Sequence, residues 1–205
     1  MKNNLLLIYY LQLFLFFSCN DSVNYYDIPA FSSNSTLNAV IEIPAGTNKK
    51  FEYSVDTGLF KIDKNDGRDR IISFLPYLGN YGFVPSTYSD PMSGGDGDPL
   101  DILVLSESIK TGAIVEVKPL GVLKLIDNGE IDYKIIAIPV NKENQTINAT
   151  NYNEFTRDFP QIKTIIEIWF LNYNKFDQAE LRGWGSEKEV FDEVQKSMNY
   201  YQRKF

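Results

Sequence analysis

The sequence predicts a mainly β fold with flanking helices (α+β): a closed or nearly closed β-barrel carrying one or two C-terminal helices. Three observations predict it. Short strand-like runs recur at 37–43, 51–55, 59–62, 71–75, 102–105, 113–125 and 133–140. Turn signals separate them, among them Asn65-Asp66-Gly67, Gly97-Asp98-Pro99 and Asp127-Asn128-Gly129, and short strands at such spacing read as a barrel. Helical periodicity comes only late in the chain.

The first residues stand apart from the domain. Lys2 precedes a run from Leu5 to Phe17 broken only by Gln12. This is short for a membrane span and suits the apolar region of a signal peptide, residues 1–18. Cys19 follows Ser18, a small residue before cysteine that resembles a bacterial lipoprotein signal, although Phe16 and Phe17 are bulky for one. The expectation is export, with a lipid on Cys19 anchoring the chain to a membrane on the periplasmic side or cell surface. The alternative is a secreted or periplasmic soluble chain with an incidental cysteine. Residues 19–36, polar and Ser/Asn-rich, read as a tether. The domain is then 37–205.

Within the domain, 37–43 and 51–55 are joined by the Pro/Gly turn PAGTNKK and are expected to pair as a hairpin. The polar segment 142–155 reads as a loop. Ile162, Ile165, Ile166, Trp169, Phe170 and Tyr173 make a helical stripe over 159–173. Ser186 and Glu189 have capping-box spacing. Behind them Val190, Phe191, Val194, Met198 and Tyr201 predict a last amphipathic helix. Core packing accounts for nearly all of these residues.

Composition narrows the chemistry. A chain of 205 residues with 43% hydrophobic content can bury one ordinary core. The net charge of −7 argues against a nucleic-acid partner, which needs a basic face. The absence of histidine removes Ser-His-Asp and Cys-His catalysis and His-ligated zinc. One cysteine excludes an intrachain disulfide. Carboxylates, Lys, Arg, Tyr and bound cations remain.

Carboxylates do collect. Asp96, Asp98 and Asp101 crowd the start of the aliphatic run ILVL, with Pro99 placing the strand start near Leu100 and glycines letting the loop bend. Such a cluster suits an open acidic turn or a site neutralised by cations. It is no EF-hand: counted from Asp96, the sixth position is Asp101, where that loop needs Gly. Asp127 and Asp132 form a second pair, and Asp132 faces the same side of an extended strand as Lys134. Taken alone, this second pair reads as a surface hairpin with an ion pair. Glu42, Lys50 and Glu52 flank one turn, and Arg70 precedes Tyr77 and Tyr81.

In order and spacing, VIEIP (40–44), KFE (50–52), Arg70, PYLGNYGFVP (76–85), DGDPLD (96–101), GVLKLID (121–127), DYK (132–134), Tyr173 and RGW (182–184) resemble the soluble inorganic pyrophosphatases. The specific signature is D-G-D-P-x-D, and the resemblance spans 37–184. It implies a five-stranded OB-like barrel, Mg²⁺ as cofactor, and hydrolysis of pyrophosphate to two orthophosphates by an activated water. By the same resemblance Asp96, Asp101, Asp127 and Asp132 bind Mg²⁺. Glu42 acts through metal-bound water, and Glu52 lies near an outer, substrate-borne metal. Asp98 is the general base, Lys50, Arg70, Lys134 and Tyr173 bind phosphate, and Tyr77 and Tyr81 support the site. Asn174 stands where the family has lysine. Lys175 could replace it only if the helix end shifts by one residue, a rotation of about 100°. The resemblance also allows a homo-oligomer. Two other readings remain open on the same scaffold: a catalytically weakened pyrophosphate- or cation-binding lipoprotein, and a hydrolase of another phosphoanhydride such as short polyphosphate.

Overall fold

The computed structural model describes residues 23–33, 36–176 and 178–205. The expected signal segment and Cys19 lie outside the described residues. The strands are β1 (Phe31–Ser33), β2 (Thr36–Ile43), β3 (Phe51–Ser54), β4 (Leu59–Ile62), β5 (Lys64–Asn65), β6 (Arg68–Asp69), β7 (Asn80–Phe83), β8 (Asp101–Val104), β9 (Ile114–Asp127), β10 (Glu130–Ile131), β11 (Lys134–Pro139) and β12 (Ala179–Gly185). The helices are α1 (Tyr152–Asp158), α2 (Pro160–Asn172) and α3 (Glu187–Lys204).

Five strands close a ring. β2 pairs antiparallel with β7, β7 with β8, and β8 lies parallel to β11. β11 pairs antiparallel with β9, and β9 returns to β2. Closure depends on β9 being long enough to change partners along its length. Ile114–Val117 face β2, Val117–Leu123 face β11, and Val122–Asp127 face β12. The bend falls where the register to β11 slips between Pro119 and Gly121. Proline offers no ladder N–H there, and a bulge lets a strand turn a barrel corner.

Every residue of β11 is buried, so its two faces carry two cores. Ile136 and Ile138 pack in a cluster with Phe155 of α1 and Ile166, Trp169 and Phe170 of α2. Ile135 and Ala137 pack in a second cluster with Val190 and Val194 of α3. Full burial of an aliphatic side chain contributes about 1.5–3 kcal/mol, so a few such residues hold each helix to the sheet. Glu189 accepts a hydrogen bond from the Ser186 amide at 3.1 Å, closing the expected capping box of α3.

Several expectations are corrected. Strands 37–43 and 51–55 do not form a hairpin: β3 pairs with β4, and β2 is claimed by β1, β7 and β9. The 71–75 run holds only an isolated bridge from Ile71 to Lys49. β7 went unread because its sequence, NYGF, is interrupted by Gly82. A Cβ there would lie 1.9 Å from the Val40 carbonyl oxygen, so the close approach of β7 to β2 requires glycine. The polar segment 142–155 ends in α1, capped by Asn151. Among the described residues of the stretch read as tether, residues 25–33 and Thr36 belong to the fold. Tyr25–Asp27 form a 3₁₀ turn, β1 pairs with β2, and Ala30 is buried.

Candidate active site

The site sits at one end of the barrel, where β8 and β11 begin side by side. Their parallel register sets Asp101 opposite Lys134. Lys134 is buried, its side chain 6% exposed, and its ammonium is ion-paired with both Asp101 and Asp132. It also lies over the Tyr81 and Phe170 rings, 5.6 and 5.8 Å from their centroids. Burial alone would lower its pKa. The fields of Asp101 and Asp132 outweigh that and hold it well above the ordinary lysine value. Asp132 reaches this position by a tight turn: Asn128 and Gly129 take φ of 49° and 89°, as a two-residue hairpin turn requires. β10 then pairs back on β9.

Asp96 and Asp98 come from the loop before β8. The Asp98 amide donates to the Asp96 carboxylate at 3.0 Å. Ser89 donates to the Asp98 carbonyl, and Gly97 donates to the Ser89 carbonyl, each at 2.8 Å. The loop is thus pinned by its backbone, and its carboxylates are left facing the cleft. Both side chains keep contact with solvent. Their carboxyls are nonetheless raised, Asp96 to about 6, chiefly by the protein packed around them and further by Asp101. Glu42, at the end of β2, accepts from the Tyr53 amide at 2.7 Å. Burial pushes its carboxyl to about 8, with Asp101 and Glu52 adding to the rise.

The cations are held by acids. Lys50 contacts Glu52 at 2.6 Å and Asp63 at 4.0 Å, and Arg70 contacts Asp63 at 3.2 Å. An aromatic wall stands behind them. Tyr77 lies 5.2 Å from Tyr81 and 4.8 Å from Trp169, centroid to centroid, and Trp169 stacks on Tyr173 at 4.7 Å. The Trp169 indole donates to the Leu75 carbonyl at 3.0 Å, tying α2 to the 71–75 segment.

Glu42, Lys50, Glu52, Arg70, Tyr77, Tyr81, Asp96, Asp98, Asp101, Asp127, Asp132, Lys134 and Tyr173 all line one cleft of about 430 Å³. Residues more than a hundred positions apart therefore meet as the motif order implied. Lys175 does not line the cleft: it is exposed in the turn after α2. α2 ends at Asn172, and Lys175 follows in the exposed turn beyond it. Sequence reasoning missed Asp63 and Tyr26. Asp63 had a signal, since a turn at Asp66-Gly67 sets positions 63 and 70 opposite each other, and Arg70 N–H does donate to the Asp63 carbonyl at 2.8 Å. Tyr26 had none, lying in a polar stretch without periodicity. It reaches the cleft because the stretch folds back.

The donor set fits Mg²⁺. The lining holds Glu42, Glu52, Asp96, Asp98, Asp101, Asp127, Glu130 and Asp132 against Lys50, Arg70 and Lys134, an excess of hard oxygen donors. Among the described residues no three of these acids converge closely enough to hold an ion alone. Mg²⁺ commonly keeps several waters and uses one or two carboxylates with substrate phosphates.

Residues 39–202 match the inorganic pyrophosphatase family. The chain belongs to that family. It is 32% identical over 175 residues to the inorganic pyrophosphatase of Saccharolobus solfataricus, covering 83% of this chain and 94% of the relative. It is 31% identical over 181 residues to that of Neisseria meningitidis serogroup B, covering 85% and 94%. Among solved structures, the inorganic pyrophosphatase from Thermus thermophilus superposes with a TM-score of 0.74 at 27% identity, covering 88% of this chain and 99% of that one. The truncated vacuolar soluble pyrophosphatase of Trypanosoma cruzi in complex with PPi shares the fold, with a TM-score of 0.80 at 23% identity, covering 89% and 80%. Family members of this barrel type thus span close to the whole domain seen here.

Proposed function

We propose that this chain, an inorganic pyrophosphatase by family, hydrolyses pyrophosphate to two orthophosphates in the cleft between β8, β11 and α2. The observation that carries this reading is the convergence of the acids with Lys50, Arg70, Lys134 and Tyr173 in one cleft. Asp96, Asp101, Asp127 and Asp132 would hold Mg²⁺, with Glu42 acting through water and Glu52 toward a substrate-borne ion. When bound, Mg²⁺ supplies charge neutralisation for the pyrophosphate and acidifies a coordinated water.

The chain's own residues divide the remaining work. Asp98, held by its backbone and solvent-facing, accepts the proton of the attacking water. Arg70 offers two-pronged contacts to a phosphate, oriented by Asp63. Lys134 presents a permanent positive charge at the cleft floor, and with Arg70, Lys50 and Tyr173 it opposes the charge that develops as the bridging P–O bond breaks. Tyr77 and Tyr81 fix the floor by ring contacts.

The test is phosphate release by the purified chain with and without Mg²⁺, beside Asp98→Asn. Rapid Mg²⁺-dependent release is expected, reduced by roughly 10²–10⁴-fold in the variant with Mg²⁺ binding kept. Pyrophosphate binding without turnover in the wild-type chain would leave only a binding scaffold. Equal turnover in the variant would remove Asp98 as base.

The leader-like segment and Cys19 support export and lipid anchoring, which would place phosphate release from pyrophosphate outside the cytoplasm. Cys19→Ala is expected to move the chain from the membrane fraction to the soluble fraction. An unchanged distribution refutes the anchor.

A further inference from the structure

Tyr26 belongs to the segment between leader and barrel, yet it lines the catalytic cleft. Its place is built. The Tyr26 ring meets Tyr53 and Phe83 edge-on, with centroids 5.4 and 5.0 Å away. Its carbonyl accepts from the Ser86 amide at 2.8 Å, and the Ser86 hydroxyl donates to the Ile28 carbonyl at 2.8 Å. Behind it, Asn24 caps the 3₁₀ turn, and Tyr201 of α3 donates to Asp27 at 2.6 Å. The segment is clamped from both sides, so the ring is positioned rather than incidental.

Its hydroxyl has another character. Glu42, Glu52 and Asp98 are close enough to act on the phenol electrostatically. Even so, among the described residues no protein group exchanges a hydrogen bond with that hydroxyl. A tyrosine hydroxyl is ordinarily a neutral donor at working pH, and burial together with these carboxylates raises this one's pKa further. On this side of the cleft donors are scarce. Lys50 is engaged by Glu52 and Asp63, Asp63 also holds Arg70, and Lys134 is paired with Asp101 and Asp132.

We propose that Tyr26 is a substrate-binding residue whose hydroxyl donates to the phosphate lying on the Glu52–Asp98 side, making the N-terminal segment part of the active site. This rests on the pyrophosphatase reading. Losing one donor to a charged acceptor while keeping the ring should weaken binding by roughly tenfold.

The experiment uses the full chain with Tyr26→Phe and, as a packing control in the same segment, Tyr25→Phe. KM and kcat for Mg²⁺-pyrophosphate are measured, together with the Kd of imidodiphosphate, a non-hydrolysable analogue, in the presence of Mg²⁺. The expected result for Tyr26→Phe is a roughly tenfold rise in KM and in Kd, kcat within about twofold, and an unchanged Tm. Tyr25→Phe should match the wild type. Unaltered KM and Kd in Tyr26→Phe beside an active wild type overturns the assignment of Tyr26 alone. So does an equal rise in Tyr25→Phe, which would trace the effect to segment packing, or a fall in kcat with Kd unchanged. A wild-type chain that neither binds nor hydrolyses pyrophosphate overturns the reaction itself.

Discussion

The floor and the rim of the cleft both carry crowded acids but settle their charge differently. On the floor, Asp101 and Asp132, themselves half-buried, share the buried Lys134, which is placed by the parallel register of β8 and β11. On the rim, Glu42, Asp96 and Asp98 have no such internal cation, and burial raises each of them. The floor is therefore finished by the fold, while the rim is left in want of positive charge. A protein that must bind and release a charged substrate gains from this division. A fixed cation keeps the geometry, and uncompensated acids supply the drive for cation uptake.

Lys134→Met should break the contrast most strongly. It strands two acids on the floor, and removing one partner of a buried ion pair costs about 3–5 kcal/mol. Chemical denaturation in the absence of metal should show that loss, and millimolar Mg²⁺ should restore more stability to the variant than to the wild type. Equal Mg²⁺ effects would mean that the floor acids do not need Lys134.

A smaller effect comes from pH. Glu42 moves from an ordinary 4.5 to about 8 on folding. The folded chain therefore holds a proton that the unfolded chain releases above its own pKa. The resulting stability contribution is present below pH 4.5 and is lost as pH rises through about 8. Metal-free thermal melts should fall across that window in the wild type and fall less in Glu42→Gln, which can still accept from the Tyr53 amide. A variant with the same slope would take Glu42 out of the rim's account. Smallest of all should be Lys175→Ala. Because Lys175 lies outside the cleft, KM for pyrophosphate is expected to change by less than about twofold. A tenfold rise would show that Lys175 reaches the substrate after all.

The two acidic turns show what was legible. Asp96, Asp98 and Asp101 could be read at once, because three acids and three glycines against an aliphatic run have few ordinary uses. Asp127 and Asp132 read, by themselves, as an exposed hairpin with a surface ion pair. The turn and the pairing with Lys134 are there, but Lys134 is buried and Asp132 half-buried. The burial of Lys134 comes from Phe170 and Tyr81, which belong to distant parts of the chain. Conversely, the aliphatic runs of β8, β9 and β11 announced strands, whereas β7 and β12 did not. The short, glycine-interrupted β7 and the partly exposed β12 are strands because longer neighbours, β2 and β9, pair with them.

The sequence by itself determined the residue types of the chemistry, the late position of the helices, the α3 cap and the order of the site motifs. These are local matters of period, turn chemistry and composition. Only the tertiary structure decided which strands close the ring, that Lys134 is buried between two aspartates, that Lys175 stays outside, and that Tyr26 enters the cleft. Each of those depends on register and packing between segments far apart in the chain, where a shift of one residue turns a side chain to the opposite face.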